Sequence, residues 1–503
     1  MKPGKAQYLV FALIFAALFL AFYPQFWDVD YLGTIRAAHW LWEGKFFETN
    51  AQYAYYMWPT GDGRFVYPFE VGRTLISAPF TLISWNAPFV LGMLFHLLGF
   101  LFFYKILKLK GFDTRYSLIY LFYPSLTIVA HKFLLGEIAS ASLILAGAYF
   151  YLKEEKPEMF GGRLDRNQFI AGLLLGLSVW FRGTNAVIIL AFLIGAQLKS
   201  RKNTGNLRDK LPLSLLLGAI VSVVPSLIVT QLMLGTPWGY TYLANEFDIH
   251  NGFKQDFDIF KMAEYTGRYG LFLLLGIDPL LSRGLMLLFP LTLVALLKAK
   301  HLRAETLLAA AFIIMIFSFS AIVPDGRYFI PLMPLFLFAL VPFADQIIER
   351  VKGKTHGVVD KAKVIYAIAL IFLVTTGVIF LVQSEKTGVK YAVSQKIYGS
   401  TNEGSLLVDT AGGHTVSFLF EKFGDRRVEV MTARQLSDNV QNTCWVKVNG
   451  GLGNIYSSIV TLYPRTEFSI QAFMKTDRVE VSVKPLEEFL KENGITKEMI
   501  SCR

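Results

Sequence analysis

The sequence predicts a polytopic α-helical membrane protein, and three observations point to this fold class. Of the 503 residues, 54% are hydrophobic and 17% are charged, against roughly 25% charged in a soluble domain. About eleven apolar runs approach the length that crosses a bilayer. Lys and Arg cluster between these runs, so membrane topology accounts for the net charge of +11 and we exclude nucleic acid as a partner.

The first apolar run is YLVFALIFAALFLAFY at 8–23, with Lys2 and Lys5 before it. A cleaved signal peptide is the alternative interpretation of such a segment. No small-x-small cleavage site follows the run, so we predict a retained first helix with a cytoplasmic N-terminus.

Ten further spans follow along the chain. The full predicted set is 7–24, 86–107, 115–131, 137–153, 167–181, 183–198, 211–233, 283–299, 304–323, 328–345 and 363–383. Between the fifth and sixth spans lies WFRGTNA at 180–186, whose arginine disfavours one long helix with a charge at mid-membrane. We predict a hairpin with a tight turn there.

The charge pattern supports this topology. With the N-terminus inside, every inner loop is rich in Lys and Arg, namely 105–111, 153–167, 199–210, 298–305 and 349–363. We therefore predict a multi-pass cell-membrane protein with a transmembrane domain at 1–383. An odd number of spans places the remaining segment, 384–503, outside the cytoplasm.

The segment 384–503 is predicted to be a small extracytoplasmic α/β domain. SLLVDT, RRVEVM, CWVKVNG and RVEVSVK have the character of short strands, and PLEEFLKENG that of a helix. The two cysteines, Cys444 and Cys502, belong to it. They would face an oxidising side and form a disulfide there, or remain an idle pair of thiols. Their spacing does not indicate a metal cluster.

Two outer loops, 25–85 and 234–282, are long, whereas the inner loops are short. Both contain amphipathic stretches, such as DYLGTIRAAHWLWEG, that are suited to lying flat at the membrane interface. Long outer loops place the working surface of the protein on its outer face.

Asp28 and Asp30 lie a few residues after the C-terminal end of the first predicted span. An ionised, oriented carboxylate at this position is suited to act as a general base on an alcohol. The alternative is that Asp28 caps the following helix and Asp30 is solvated, and the local pattern does not decide between the two.

Further candidate site residues lie in the next two outer segments of the sequence. Tyr67 and Glu70 precede Arg73 in a loop suited to holding a lipid-linked phosphate, or serving as an interfacial turn. Lys132 and Glu137 join two spans on the outside. We predict that Lys132 contacts the donor phosphate, with a topological or lipid-headgroup role as the alternative. Glu137 is predicted to contact substrate, or only to interact with the dipole at the helix N-terminus.

Three outer arginines are candidates for binding a phosphate. Arg182 lies in a short turn between apolar helices, where it needs an anionic partner or a path to the surface. Arg283 and Arg327 also fall on the outer side, against the usual charge bias. A planar guanidinium donates two hydrogen bonds to one phosphate, so convergence of these arginines would create an anion site.

Trp238 and Tyr242 lie in GTPWGYTY, after the seventh span. Aromatic rings here either form a platform for a sugar ring or belong to the interfacial aromatic belt.

Taken in their order along the chain, several short motifs resemble those of the GT-C superfamily of membrane glycosyltransferases. Asp30 and Tyr31 precede the Ala37-Ala38 pair and Glu43-Gly44, and a Tyr-Pro loop precedes LISAPF. GEIASASLILAGAYFYL, GLLLGLSVWFRGTN, GTPWGYTY, SRGLMLLFPL and RYFIPLMPL then follow in family order. The resemblance covers about 7–345 and is nearest to protein O-mannosyltransferases and aminoarabinose transferases, or to polyprenyl-phosphate-mannose mannosyltransferases.

This resemblance implies transfer of a sugar, such as mannose, from a dolichyl- or polyprenyl-phosphate to a hydroxyl of a glycan, lipid or protein, with inversion. It implies Asp30 as the base, with Asp28 as the second choice. Arg182, then Arg327, Arg283 and Arg73, would stabilise the leaving phosphate. Several relatives carry adjacent Asp-Glu and a Tyr-Pro-Pro loop, whereas this chain has Asp-Val-Asp and Tyr67-Pro68-Phe69.

Two other function classes remain open. A transporter or lipid flippase would show internal repeats and polar residues at mid-membrane, and the sequence shows neither. A non-catalytic scaffold would not need carboxylates in its first outer loop. No ligand spacing requires a metal, although acidic loops can hold Mg²⁺ or Mn²⁺ as a cofactor.

Overall fold

The computed structural model describes twelve α-helices, three short 3-10 helices and eight short strands. The described residues are 5–22, 29–47, 58–59, 65–66, 71–131, 135–153, 158–159, 164–204, 212–234, 330–331, 333–354, 360–400, 406–409, 429–432, 445–446 and 500–501. The helices are α1 Lys5–Ala21, α2 Val29–Trp42, α3 Val71–Thr81, α4 Val90–Leu109, α5 Ser117–Leu121, α6 Pro124–His131, α7 Leu135–Leu152, α8 Arg166–Val179, α9 Ala186–Thr204, α10 Leu213–Leu234, α11 Met333–Lys354 and α12 Lys361–Ser400. The strands are β1 Trp58–Pro59, β2 Phe65–Val66, β3 Glu158–Met159, β4 Leu164–Asp165, β5 Leu406–Asp409, β6 Glu429–Thr432, β7 Trp445–Val446 and β8 Ile500–Ser501.

Four of the described helices are long and apolar enough to cross a membrane. They cover Ala87–Leu109, Leu135–Leu152, Leu213–Met233 and Lys361–Val378. Their outer faces carry exposed aliphatic residues at helical spacing, as at Ile220, Val224 and Ile228 of α10, an arrangement that suits contact with lipid. The chain is a polytopic helical membrane protein. The predicted spans 283–299 and 304–323 lie outside the described residues, so the count of eleven stays a prediction.

The chain divides into two compact units. Unit 1 comprises Met1–Tyr23, Pro68–Phe80 and Ala87–Leu381, and unit 2 comprises Pro24–Tyr67, Thr81–Asn86 and Val382–Arg503. Most of the first long outer loop, but not residues 68–80, therefore belongs to the same unit as the C-terminal segment. The predicted boundary between 383 and 384 and the separate C-terminal domain stay predictions.

The core of unit 1 is a row of helices in which α4 packs on α7, α7 on α8 and α8 on α10. The α8–α10 contact depends on small residues. A methyl group on Gly172 would overlap the Leu215 carbonyl oxygen, and one on Gly218 would overlap the Phe169 carbonyl oxygen. Such close backbone approach drives helix association in membranes, where the hydrophobic effect does not.

Gly172→Ala is expected to destabilise the protein by about 1–3 kcal/mol, because the new methyl group meets backbone that cannot move aside. The matched control is Gly377→Ala in α12, where an added methyl group meets nothing within 4 Å. Thermal unfolding in detergent micelles measures both variants. A melting temperature of Gly172→Ala that matches the control would contradict the close-packing account.

The predicted third span, 115–131, is divided into α5 and α6. Pro124 disfavours helical geometry at the residue before it and has no N–H to donate. Two carbonyls at the break find side-chain donors. His96 of α4 donates through Nε2 to the Leu121 oxygen at 2.8 Å, and the Thr376 hydroxyl of α12 donates to the Phe122 oxygen at 3.1 Å. Neighbouring helices thus satisfy the break, as a broken membrane helix requires.

Polar contacts gather at one end of unit 1. The Tyr116 hydroxyl donates to Asp345 at 2.6 Å, and Lys361 pairs with the same carboxylate at 2.5 Å. Burial alone would raise the pKa of Asp113, but hydrogen bonds and charge from Arg115 lower this pKa below its usual value. The segment after α4 and the facing ends of α11 and α12 therefore lie at the same end, as expected for two inner loops. Which side of the membrane this is stays a prediction.

In unit 2, the helix predicted to lie at the interface is α2. All six residues 33–38 are buried, so this part of α2 lacks the solvent-exposed polar face that the prediction implied. Arg36 is among them and stacks over the Trp40 ring, 5.5 Å from its centroid. The helix is confirmed, whereas its burial exceeds that of a helix lying on a membrane surface.

Three of the four predicted C-terminal strands overlap with β5, β6 and β7, although β7 covers only two residues. β5 and β6 pair in parallel, with Leu406 opposite Glu429, and β7 and β8 pair antiparallel, with Trp445 opposite Ser501. The predicted strand RVEVSVK and the helix PLEEFLKENG lie outside the described residues.

The antiparallel pair bears on the two cysteines. Cys444 and Cys502 lie outside the described residues, but each is the sequence neighbour of a residue in the Trp445–Ser501 pair. We therefore expect a Cys444–Cys502 disulfide in protein prepared without reductant. Counting free thiols in the denatured protein by mass spectrometry checks this. Two free thiols per chain would favour the alternative of idle cysteines, and Cys444→Ser is expected to leave one reactive thiol.

Candidate functional site: a buried arginine–glutamate cluster

The site begins at the N-terminal end of α7. Glu137 stands in the first turn of this helix and is 2% exposed. A carboxylate is favoured there by the positive end of the helix dipole. Its Oε1 accepts a hydrogen bond of 2.7 Å from Nη1 of Arg182, and the side chains of both partners are nearly inaccessible. The anionic partner that a buried Arg182 requires is therefore present within the fold.

Arg182 is positioned by the turn between α8 and α9. α8 ends at Val179, and the Arg182 N–H donates to the Ser178 carbonyl at 3.1 Å. A short 3-10 helix, Gly183–Asn185, then leads into α9. The indole of Trp180 donates to the Ser222 carbonyl at 2.8 Å and so fastens the turn to α10. The predicted tight turn at 180–186 is confirmed.

Arg73 reaches the same place from α3. It is 5% exposed, and its Nε donates to the Phe181 carbonyl at 3.4 Å. Its guanidinium lies against Gly136, where a side chain methyl would overlap it. The backbone of Gly72 also donates to the Trp180 carbonyl at 2.9 Å. The start of α3 is therefore docked on the 180–182 turn, beside the residue that precedes Glu137.

Asn185 and Ser140 complete the surroundings, and the sequence interpretation did not single them out. The Asn185 amide donates to the Ser140 hydroxyl at 2.7 Å and to the Ser178 carbonyl at 2.9 Å. Ser140 lies three residues after Glu137, on the same face of α7. Asn185 lies three residues after Arg182, and a 3-10 helix aligns such residues. These two spacings were the available signal.

Arg73, Glu137 and Arg182, the arginine–glutamate site below, thus come together from three distant segments. Two guanidinium groups and one carboxylate share a buried region at one end of a membrane-crossing helix. Burial strengthens their mutual electrostatic interactions and makes removal of one partner costly. A guanidinium has five N–H donors, so an arginine that holds a carboxylate through Nη1 can also bind a phosphate oxygen.

The other predicted site residues are placed less fully. Asp30 is the second residue of α2, and its side chain is not among those described. The remaining candidates, Asp28, Tyr67, Glu70, Lys132, Trp238, Tyr242, Arg283 and Arg327, lie outside the described residues. Their predicted roles stay predictions. Within the described residues, no group of three His, Cys, Asp or Glu side chains could hold a metal ion, and the Mg²⁺ or Mn²⁺ cofactor also stays a prediction.

Comparison with known proteins identifies a fold and no sequence family. The sequence matches no protein-family model and no curated protein. The structure is similar to the crystal structure of ArnT from Cupriavidus metallidurans bound to undecaprenyl phosphate, with a TM-score of 0.54 and 12% identity. The match covers 87% of this chain and 88% of that chain. The chain therefore shares the fold of this ArnT structure, which agrees with the GT-C-like fold that the sequence resemblance predicted.

Proposed function

We propose that the protein is a membrane glycosyltransferase that uses a polyprenyl-phosphate sugar as its donor. The observation that carries this proposal is the convergence of Arg73 and Arg182 beside Glu137 at one end of α7. The fold likeness supports it, because the ArnT structure that this chain resembles contains undecaprenyl phosphate. The donor sugar is a hexose such as mannose, and the acceptor is a hydroxyl of a glycan, lipid or protein.

The reaction is a single displacement at the anomeric carbon. The acceptor oxygen attacks this carbon, and its proton passes to the carboxylate of Asp30, or of Asp28 as the second choice. The bond from the anomeric carbon to the phosphate oxygen breaks, and its electron pair stays on that oxygen. One bond forms and one breaks on opposite faces, so the configuration inverts.

The arginine–glutamate site acts on the leaving group. Negative charge grows on the lipid phosphate as the bond breaks, and guanidinium groups held in place lower the energy of that charge. Glu137 is a positioning residue in this scheme, because it holds Arg182 through Nη1. The N-terminal N–H groups of α7 favour an anion at the same end of the helix.

The proposal includes a topology. The N-terminus is cytoplasmic, and the long outer loops and the domain at 384–503 lie on the extracytoplasmic side of the cell membrane. Donor and acceptor meet on that side.

The test is sugar transfer by purified protein in lipid nanodiscs. The donors are polyprenyl- and dolichyl-phosphates carrying mannose, glucose or aminoarabinose, and the acceptors are small glycans, membrane lipids and peptides. We expect one donor to release its lipid phosphate in step with product, with inverted configuration by NMR. Absence of transfer from every donor, together with movement of lipid or solute across the bilayer in proteoliposomes, would instead identify a transporter or flippase.

A further inference from the structure

Two lysines lie over aromatic rings at the end of the α4–α7 pair that is far from the arginine–glutamate site. Both lysines contact the ring of Tyr149. The ammonium of Lys105 lies 5.6 Å from the centroid of the Tyr149 ring, and that of Lys153 lies 5.4 Å from the same centroid. Lys105 also lies 4.9 Å from the Phe102 ring, and Lys153 lies 5.8 Å from the Phe150 ring. These five residues are called the lysine–tyrosine patch below.

The rings of the patch support one another. The Tyr149 centroid is 5.7 Å from that of Phe102 and 5.2 Å from that of Phe150, within the range of favourable aromatic pairs. Each ammonium therefore lies over a connected aromatic surface, where the ring quadrupole attracts it. The two ammonium groups are at most about 11 Å apart, because both lie near one ring.

Within the part of the chain that the structure describes, neither lysine has a carboxylate partner. Among the described contacts, Lys105 and Lys153 make the four cation–ring contacts above and no ion pair. Other lysines of the described chain do have carboxylate partners, such as Lys361 with Asp345. Attraction to the rings only partly compensates two like charges, so an anion close to both ammonium groups would stabilise the arrangement.

The patch lies at a membrane surface and far from the arginine–glutamate site. Lys105 is close to the C-terminal end of α4, Lys153 directly follows α7, and both helices are among those that can cross the membrane. Glu137 lies at the other end of α7, about 24 Å away at the rise of an α-helix. The donor phosphate proposed above and an anion at the patch would therefore be in opposite leaflets.

We propose that the lysine–tyrosine patch binds the headgroup of an anionic phospholipid in the leaflet opposite the arginine–glutamate site. Lysine is a flexible point charge suited to a phosphate that two side chains share. The half-exposed rings of Phe102, Tyr149 and Phe150 suit the boundary between headgroups and acyl chains. This site does not depend on the proposed glycosyl transfer.

The experiment measures lipid retention by native mass spectrometry of the full chain. The probes are dioleoyl phosphatidylglycerol, which is anionic, and dioleoyl phosphatidylcholine, which is zwitterionic. We expect tighter binding of phosphatidylglycerol by the wild type. Lys105→Gln and Lys153→Gln should each weaken it about fivefold, and the double variant about 25-fold, since the two ammonium groups of the patch contribute about equally and independently.

Two further variants make the experiment decisive. Lys108→Gln removes the same charge from the same helix, but at an exposed position, and should change phosphatidylglycerol binding less than twofold. Tyr149→Leu keeps both charges and removes the shared ring. It should weaken phosphatidylglycerol binding more than Lys108→Gln does and less than Lys105→Gln does. A loss in Lys108→Gln equal to that in Lys105→Gln, or equal retention of the two lipids by the wild type, would overturn the proposal.

Discussion

Arg182→Gln is expected to lower the free energy of unfolding by about 3–5 kcal/mol, because it removes the guanidinium that pairs with the buried carboxylate of Glu137. Glu137→Gln should lower the free energy of unfolding by a similar amount, because it removes the carboxylate that pairs with the buried guanidinium of Arg182. The double variant should be more stable than the two single losses predict, since two neutral amides can hydrogen-bond in place of the ion pair. Thermal and chemical unfolding in detergent micelles, followed by tryptophan fluorescence, provide the double-mutant cycle.

The control for this cycle is Glu349→Gln. Glu349 pairs with Lys352 at 4.0 Å, but its side chain is 59% exposed. A solvated pair contributes about 0–1 kcal/mol, so this variant should unfold close to the wild type. If Arg182→Gln unfolds as the control does, the buried pair does not stabilise the fold in the manner described.

Arg182→Lys separates the structural role of the residue from its proposed role toward the donor. Lysine keeps the positive charge beside Glu137, so most of the stability should remain. It loses the planar fork that binds two phosphate oxygens. We therefore expect a melting temperature near that of the wild type together with a donor KM raised about tenfold or more, for a loss of 1.4 kcal/mol or more. A donor KM that stays at the wild-type value would exclude Arg182 from phosphate binding.

The membrane class and the turn at 180–186 follow from the sequence because they depend on local features. Apolar length and a charge that is disfavoured in hydrocarbon determine them within one stretch of chain. The break at Pro124 was also a local signal, and it was outweighed by the apolar run that continues through it. Its carbonyls are satisfied by His96 and Thr376, which lie on other helices.

The convergence of the site is not local and could not be predicted from one sequence. Arg73 contacts a residue 108 positions later, and Glu137 pairs with a residue 45 positions later. Periodicity assigns a residue to a face of its own helix, but the helix packing decides which faces meet. The burial of α2 over residues 33–38 is a second feature that could not be predicted, because the sequence of a helix does not show which other segments pack against it.

Asp30→Asn is expected to reduce kcat for sugar transfer by about 10²–10⁴-fold, because an amide cannot accept the proton of the acceptor hydroxyl. The substitution preserves the size of the side chain, and the proposed phosphate contacts belong to other residues. The donor KM should therefore change little, which distinguishes this variant from Arg182→Lys. Quenched time courses of sugar transfer over a range of donor concentrations up to saturation give kcat and the donor KM. Binding of undecaprenyl phosphate is measured in parallel.

Asp28→Asn is the companion variant, and it decides between the two carboxylates. Asp30 lies within α2, whereas Asp28 precedes the first residue of that helix. As a helix cap, Asp28 would contribute about 1 kcal/mol to stability and little to the chemical step. We expect Asp28→Asn to retain kcat within a few-fold of the wild type. Loss of kcat in Asp28→Asn alone would transfer the role of base to Asp28, and full activity in both variants would place the base elsewhere in the chain.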